Sequence, residues 1–432
     1  MSQPSAVSRR KFLQTAAAIA PFFIVPRHVL GRGFRAPSDT INLGYIGLGR
    51  QSNGLLNRFL DTKQVAVLAA CDVDKLKTER FQQWHAKSLE RVPELAKHQI
   101  QVYEDYRELL DRKDLDAVVI ATPDHWHAVQ AIRAMNAGKD VYCEKPLTLT
   151  VAEGRAMVKT ARRRDRVVQT GSMQRSDPNF RRACELVRNG YLGSIKEVKV
   201  TVGGPPVPVD FQSEQVPATL NWDLWLGPNQ PHFYNHVLAP RLEDTFWGKW
   251  REYKGFGGGG MTDWGAHMFD IAQWALKRDE SGPVDVTPPT DPKATRGLTY
   301  RYDDGVVMTH EDFGRGNAVR FIGTEGQMDI SRGFFETTPG TLKTLELKSS
   351  DEKLPAPQNH YVDFLNAMRS RQKPICDVET GHRSATVCNI GNIAYELRRP
   401  LKWNPFKEQF EGDAVANGML SRDLRKPFRM KV

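Results

Sequence analysis

Asp116–Leu147 reads DAVVIATPDHWHAVQAIRAMNAGKDVYCEKPL, and the alternation inside it decides the fold class. Asp116–Thr122 is a short β-branched run of the kind that parallel sheets bury on both faces. Pro123, Asp124 and His125 break the run. Ala128–Ala137 has helical spacing and stops at Gly138, a helix-end signal. Val141–Cys143 resumes a strand, and its carboxyl end delivers Glu144, Lys145 and Pro146. Ligands of α/β sheets bind at such strand ends. A lysine there can take part in proton chemistry. It is equally compatible with a solvated strand end, so its surroundings decide.

Upstream, Ile41–Ile46 is an apolar strand that runs into Gly47, Leu48, Gly49, Arg50, Gln51, Ser52, Asn53 and Gly54, followed by a helical segment, Leu55–Leu60. The first glycine permits a tight turn, and the second lets backbone approach a pyrophosphate. The helix start then offers free N–H groups and a positive dipole end. Ser52 stands where a third glycine is usual, which weakens the fingerprint. Val65–Ala70 is the next strand, and Asp72 lies 25 positions after Gly47, where an acid hydrogen-bonds the adenosine ribose. A carboxylate there repels a 2′-phosphate, so NAD is expected, with NADP left open by Arg50 and Lys75. Further alternation follows: helix Tyr106–Arg112, strand Asp116–Thr122, helix Ala128–Ala137, strand Val141–Glu144, helix Ala152–Arg164, strand Val167–Thr170. That order implies an α/β fold with a doubly wound parallel sheet.

The whole chain sets bounds. Its 432 residues are too many for one ordinary domain. No apolar run reaches the roughly 20 residues of a spanning helix. The net charge of +10 is spread along the chain rather than clustered with aromatics, so nucleic acid is not an expected partner. The five cysteines, Cys71, Cys143, Cys184, Cys376 and Cys388, form no CxxC pair, and an odd number argues against a complete disulfide framework. His125 with His127, and His232 with His236, place no tight ligand cluster on one element, so no metal is expected.

The amino terminus reads as a targeting segment. Ser8, Arg9, Arg10, Lys11, Phe12, Leu13 and Gln14 resemble a twin-arginine export signal and precede an apolar stretch, Thr15–Val25. Export through the twin-arginine machinery to the periplasm is therefore expected. No clear A-x-A cleavage site follows, so tethering by an uncleaved signal stays open.

The glycine turn, Asp72, the run from Thr122 to His127 and the Glu144-Lys145-Pro146 triplet together resemble the Gfo/Idh/MocA oxidoreductases, of which glucose–fructose oxidoreductase and inositol dehydrogenase are members. The resemblance spans roughly 41–405. It implies a Rossmann domain followed by an α/β domain with a large, mostly antiparallel open sheet whose uncovered face pairs in a homo-oligomer. It implies a cis proline at Pro146, a substrate-directed Lys145, and cofactor contact from Thr122, Pro123, His125 and Glu144 beside Gly47, Gly49, Arg50, Ser52 and Asp72. The expected division is 1–38 signal and linker, 39–170 Rossmann domain, 171–405 substrate and oligomerisation domain, and 406–432 tail.

In the second domain, Ile195–Val202, Tyr300–Glu311, Val319–Gly323 and Gly326–Ile330 are strand candidates. The stretch from Pro205 to Gly260 is loop-rich, and loops that long are usually functional. Thr262 or Asp263 is expected to cap a helix running to Leu276. On it Asp263 and His267 stand one turn apart, so the carboxylate can orient the ring as a general base. A satisfied histidine on a half-buried face is the bland alternative; the family places its Asp and His at these positions, which favours catalysis by Lys145, Asp263 and His267. The five glycines between Gly255 and Gly260 suit close approach to a ligand. Tyr234 and Arg251 are candidates for substrate contact, with a structural role the favoured reading of each. The segments 360–367 and 382–397 read as helices that pack back near the Rossmann domain, and residues from Asn404 on as loosely held.

The expected activity is an NAD(P)-dependent oxidoreductase that takes hydride from a secondary alcohol of a sugar, sugar derivative or cyclitol. An NAD-dependent glycoside hydrolase, using transient oxidation, elimination and re-reduction, is the alternative. A binding protein that kept the fold is disfavoured by the intact Lys145, Asp263 and His267.

Overall fold

A computed structural model describes residues 40–95, 99–430 and 432. The expected signal and linker at 1–38 lie outside the described residues. The first sheet is built from β1 (Ile41–Ile46), β2 (Val65–Cys71), β3 (Gln101–Tyr103), β4 (Ala117–Ile120), β5 (Asp140–Cys143) and β6 (Val168–Thr170). Its six strands run in the order β3-β2-β1-β4-β5-β6, all parallel. β2, β4 and β5 are buried throughout, as strands covered on both faces must be.

The crossovers are α1 (Arg50–Asp61), α2 (Lys75–Leu89), α3 (Tyr106–Asp111), α4 (Asp124–Asn136) and α5 (Val151–Arg164). α4 starts four residues before the expected Ala128, with Pro123 at its N-cap, so Asp124 and His125 belong to its first turn. α5 is fixed by a capping box between Thr150 and Glu153.

After α6 (Pro178–Arg188) comes β7 (Ile195–Thr201), then α7 (Trp222–Leu226) inside a long strap. The expected single helix from Thr262 to Leu276 is instead two: α8 (Gly260–Asp263) and α9 (Gly265–Ala275), broken at Trp264. Every residue of α9 is buried, so it has no half-buried polar face. β8 (Asp285–Thr287), β9 (Leu298–Arg301), β10 (Val307–His310), β11 (Ala318–Gly323), β12 (Gln327–Ser331) and β13 (Phe334–Thr338) follow. β9 and β10 divide the expected Tyr300–Glu311 strand at the Asp303-Asp304-Gly305 turn, where Gly305 has φ +86°.

The chain ends with α10 (His360–Ser370), α11 (Val378–Leu397), β14 (Leu401–Asn404), β15 (Gln409–Phe410) and α12 (Ala414–Gly418). The second sheet has nine strands, ordered β13-β12-β11-β7-β10-β9-β8-β14-β15, and is antiparallel except for the β7–β10 pair.

Apolar side chains of α6, α9 and α11 form a core with one face of this sheet. The opposite face carries ion pairs such as Lys199–Glu311 and Arg320–Asp329. α10 packs on the Rossmann core through Tyr361, Phe364 and Leu365. Residues after Asn404 are held firmly, contrary to expectation. Arg422 bonds Glu153, Asn229 and the His125 carbonyl, and Phe428 is buried edge-on against Trp126. The charges that suggested a solvated tail are the ones that tie it down. All five cysteines are buried free thiols, and no described helix is long and apolar enough to cross a membrane.

Candidate active site

Two cavities meet where β1, β4 and β5 end. The first is lined by Gly47, Gly49, Arg50, Asp72, Thr122 and Pro123, all expected at a cofactor. Gly47 sits at φ +85°, and a Cβ on it would stand 2.7 Å from the Thr122 backbone nitrogen. A Cβ on Gly49 would meet nothing within 4 Å, so a ligand can approach that backbone. Ser52 is buried and its hydroxyl donates to the Gly47 carbonyl. The serine that departs from the glycine fingerprint therefore ties the turn to α1. Asp72 accepts from the Leu48 N–H at 2.7 Å and the Asp74 N–H at 3.0 Å, while Arg80 donates to the Leu48 carbonyl at 3.0 Å. Burial raises the Asp72 carboxyl despite nearby Lys77. Lys77 and Arg80, rather than the expected Lys75, join Arg50 among the lining cations.

The strap from the second domain roofs this cavity with Leu238, Arg241, Phe246, Trp247 and Trp250, and Arg50 donates to the Asp244 carbonyl. His125 lines neither cavity. Its Nε2 pairs with the Trp225 carbonyl at 3.1 Å, its ring packs on Trp225 and Phe256, and burial lowers its pKa to about 3. Lying in the first turn of α4, it locks that helix to the strap. His127 likewise spans the Pro146 and Thr122 carbonyls.

The second cavity, of about 580 Å³, falls in the roughly 300–1,000 Å³ range of small-molecule sites. Glu144, Lys145, Asp263 and His267 all line it, brought together from the end of β5, the end of α8 and the first turn of α9. The Lys145–Pro146 peptide is cis. Lys145 Nζ donates to Asp263 Oδ1 at 2.6 Å and to the Asp263 carbonyl at 2.9 Å. Arg251 Nε lies 3.5 Å from the same Oδ1. Burial alone would raise Asp263; Lys145 and Arg251 outweigh it and hold the carboxyl below its usual range.

The expected Asp263–His267 pair does not form. The helix break at Trp264 turns Asp263 toward Lys145, and His267 Nε2 accepts from Arg332 at 3.1 Å. His267 Nδ1 is buried without a partner. Burial, then Lys145, Arg332 and His360, hold the ring well below the ordinary histidine pKa, so it is neutral.

Glu144 is buried with Oε1 unpaired, and burial raises its carboxyl. A Cβ on Gly171 would stand 2.8 Å from that oxygen. Four of the glycines have a packing reason: added Cβ atoms on Gly257, Gly258, Gly259 and Gly260 would strike Arg251, Thr262, Gly204–Pro206 and Gly203. Close packing on the 203–206 backbone accounts for Gly259 and Gly260, and Gly260 also lines the second cavity. Arg251, Asp124, Arg58 and Arg332 also line the cavity. Arg332 gave no sequence signal, since a turn arginine 65 residues from His267 is placed only by the second sheet.

The descriptions of the matching family models are "Oxidoreductase family, NAD-binding Rossmann fold" over residues 41–172 and "Oxidoreductase family, C-terminal alpha/beta domain" over residues 207–430. The chain belongs to the Gfo/Idh/MocA oxidoreductase family. A glycosyl hydrolase family 109 protein of Shewanella pealeana is 30% identical over 210 residues, 44% of each chain. An α-N-acetylgalactosaminidase of Shewanella oneidensis is 29% identical over 214 residues, again 44% of each. The chain thus spans less than half the length of these curated relatives.

The crystal structure of an aldose–aldose oxidoreductase from Caulobacter crescentus superposes with TM-score 0.58 at 19% identity, covering 84% of this chain and 99% of that one. The family model over residues 41–172 is NAD-binding, so a nicotinamide dinucleotide is the implied cofactor, and the residues fit it. Gly49 is the N-cap of α1 and has no side chain to cap it, so the helix start can offer N–H groups to a pyrophosphate. The unpaired Glu144 oxygen offers an acceptor at the inner end.

Proposed function

We propose that this chain takes hydride from a secondary alcohol of a sugar, sugar derivative or cyclitol. The observation that carries this reading is the Lys145–Asp263 pair, 2.6 Å apart, at the end of β5 where the two cavities meet. When bound, the nicotinamide supplies the hydride acceptor. In its amine form Lys145 gives two N–H bonds to Asp263 and has its lone pair left for the substrate hydroxyl. As hydride leaves, Lys145 takes the hydroxyl proton, and Asp263 holds the ammonium so formed. Sequence alone leaves Lys145 and His267 competing for the proton; the bonds from Lys145 to Asp263 favour Lys145. Neutral His267 orients the substrate from the other wall. Thr122, Pro123 and the Gly47–Ser52 turn hold the dinucleotide, and Asp72 favours NAD over NADP.

A second reading is supported by the curated relatives' names: an NAD-dependent glycosidase in which the same hydride returns after elimination of the aglycone. Incubating NAD-loaded protein with free sugars and with nitrophenyl glycosides separates the two. Net reduced nicotinamide from a free sugar supports the dehydrogenase. Nitrophenol without net reduction supports the glycosidase. Neither product from any compound refutes both. The Ser8–Gln14 motif supports twin-arginine export to the periplasm, and the nine-stranded second sheet, with its helices packed on one face, supports a homo-oligomer through the other.

A further inference from the structure

The substrate cavity contains four cationic side chains, Arg58, Lys145, Arg251 and Arg332. Lys145 and Arg251 share Asp263. Arg58 and Arg332 form no ion pair with any described residue. Arg332 occupies the turn between β12 and β13, lies 4.7 Å over the Trp264 ring, and has neutral His267 as its hydrogen-bond acceptor. Arg58 projects from α1, with the Tyr361 hydroxyl at 3.4 Å and the Met173 sulfur at 3.7 Å. Both arginines are solvent-accessible within the cavity, so a ligand can reach them.

No described acid forms an ion pair with either arginine, and Glu144, Asp177 and Asp263 attract Arg332 only from beyond ion-pair distance. Asp263 is engaged by Lys145 and Arg251, Asp124 and Glu144 are buried at the floor, and exposed Glu252 pairs with neither arginine. Two guanidinium groups from separate elements, near enough to repel each other and neither in an ion pair, are suited to an oxyanion.

We infer that Arg332 and Arg58 receive an oxyanion borne by the substrate, so that the enzyme selects an acidic sugar: a carboxylate, sulfate ester or phosphate ester. This rests on the hydride-transfer reading of the same cavity and names its substrate class. Because Arg332 touches His267, the anionic group sits next to the ring that faces the reacting alcohol.

The direct probe is inorganic sulfate, titrated into the NAD-loaded protein by calorimetry at constant ionic strength set with chloride. Saturable binding is expected, weakened about tenfold or more in Arg332→Gln and in Arg58→Gln and partly restored in Arg332→Lys. Arg58→Gln lies on a different element, so a folding defect at one site does not decide the matter. A second arm compares glucose with glucuronate and glucose 6-phosphate, and galactose with galacturonate and galactose 6-sulfate. The acidic member is expected to have the lower KM, with the ratio collapsing toward one in Arg332→Gln; the best member of each pair identifies the anion.

Absent sulfate binding, or binding unchanged in both variants, overturns the oxyanion site even if sugars reduce the nicotinamide. Sulfate binding with no turnover of any sugar refutes the hydride reading and leaves the oxyanion site standing.

Discussion

The two cavities are built by opposite means. Under its strap, the dinucleotide cavity has a backbone cradle built from neighbouring segments. Gly47 and Gly49 shape it, Asp72 and Arg80 clamp Leu48 on both its N–H and its carbonyl, and Ser52 closes the turn. The substrate cavity is made of side chains far apart in sequence: Lys145 meets Asp263 across 118 residues, and His267 meets Arg332 across 65. Its polar groups are incompletely matched, with unpaired oxygen on Glu144 and unpaired nitrogen on His267. A backbone cradle of this kind is generic and sets the cofactor. An incompletely satisfied set of side chains awaits a particular substrate and sets specificity.

That difference can be broken at either end. The largest effect is expected from Lys145→Ala, which should cut kcat/KM about 10³-fold while leaving dinucleotide affinity within about threefold, as titration would show. Gly47→Ala attacks the other cavity. The positive φ and the clash with Thr122 should lower stability by ~1–3 kcal/mol and dinucleotide affinity about tenfold, read by thermal unfolding and cofactor titration. If Gly47→Ala instead left the dinucleotide affinity intact, the backbone cradle would not be what binds it. Asp72→Ser should relax the preference for NAD over NADP by about tenfold, measured as the ratio of the two affinities.

The smallest effect is expected at His360, beside the end of β6. His360 donates Nε2–H to the Thr170 carbonyl at 3.2 Å and accepts from Ser176 at Nδ1, and burial lowers its pKa to about 3. The unfolded chain therefore takes up the proton first. The stability that His360 contributes is full above about pH 6.5 and is lost as pH falls toward 3, by at most ~1.4 kcal/mol per pH unit. The stability gap between wild type and His360→Gln should narrow over that window in urea titrations; a constant gap would contradict a neutral buried ring.

Legibility in the sequence follows the same division. The strands at Ile41 and Val65, the glycine turn, Asp72 and Lys145 at a strand end are local patterns, and the structure places them as read. His125 was misleading because residue type and spacing do not say which way a helix's first turn faces. The helix at Asp263 breaks at Trp264, which residue spacing does not show, and Asp263 is then engaged by Lys145, a contact between distant segments. Arg251 looked structural and Arg332 was silent for the same reason. The charged end of the chain looked solvated because its partners, Glu153 and Asp223, are also distant in sequence.

The central claim is that Lys145, held by Asp263, serves hydride transfer to a nicotinamide. The most direct measurement is a single-turnover reaction of NAD-loaded protein with a panel of sugars, sugar acids and cyclitols, following nicotinamide absorbance in wild type and Lys145→Ala. The account predicts transient or net reduction by at least one compound in wild type, slowed about 10³-fold in Lys145→Ala with the dinucleotide still bound. Equal rates in the two proteins, or no reduction by any compound in wild type, would contradict it.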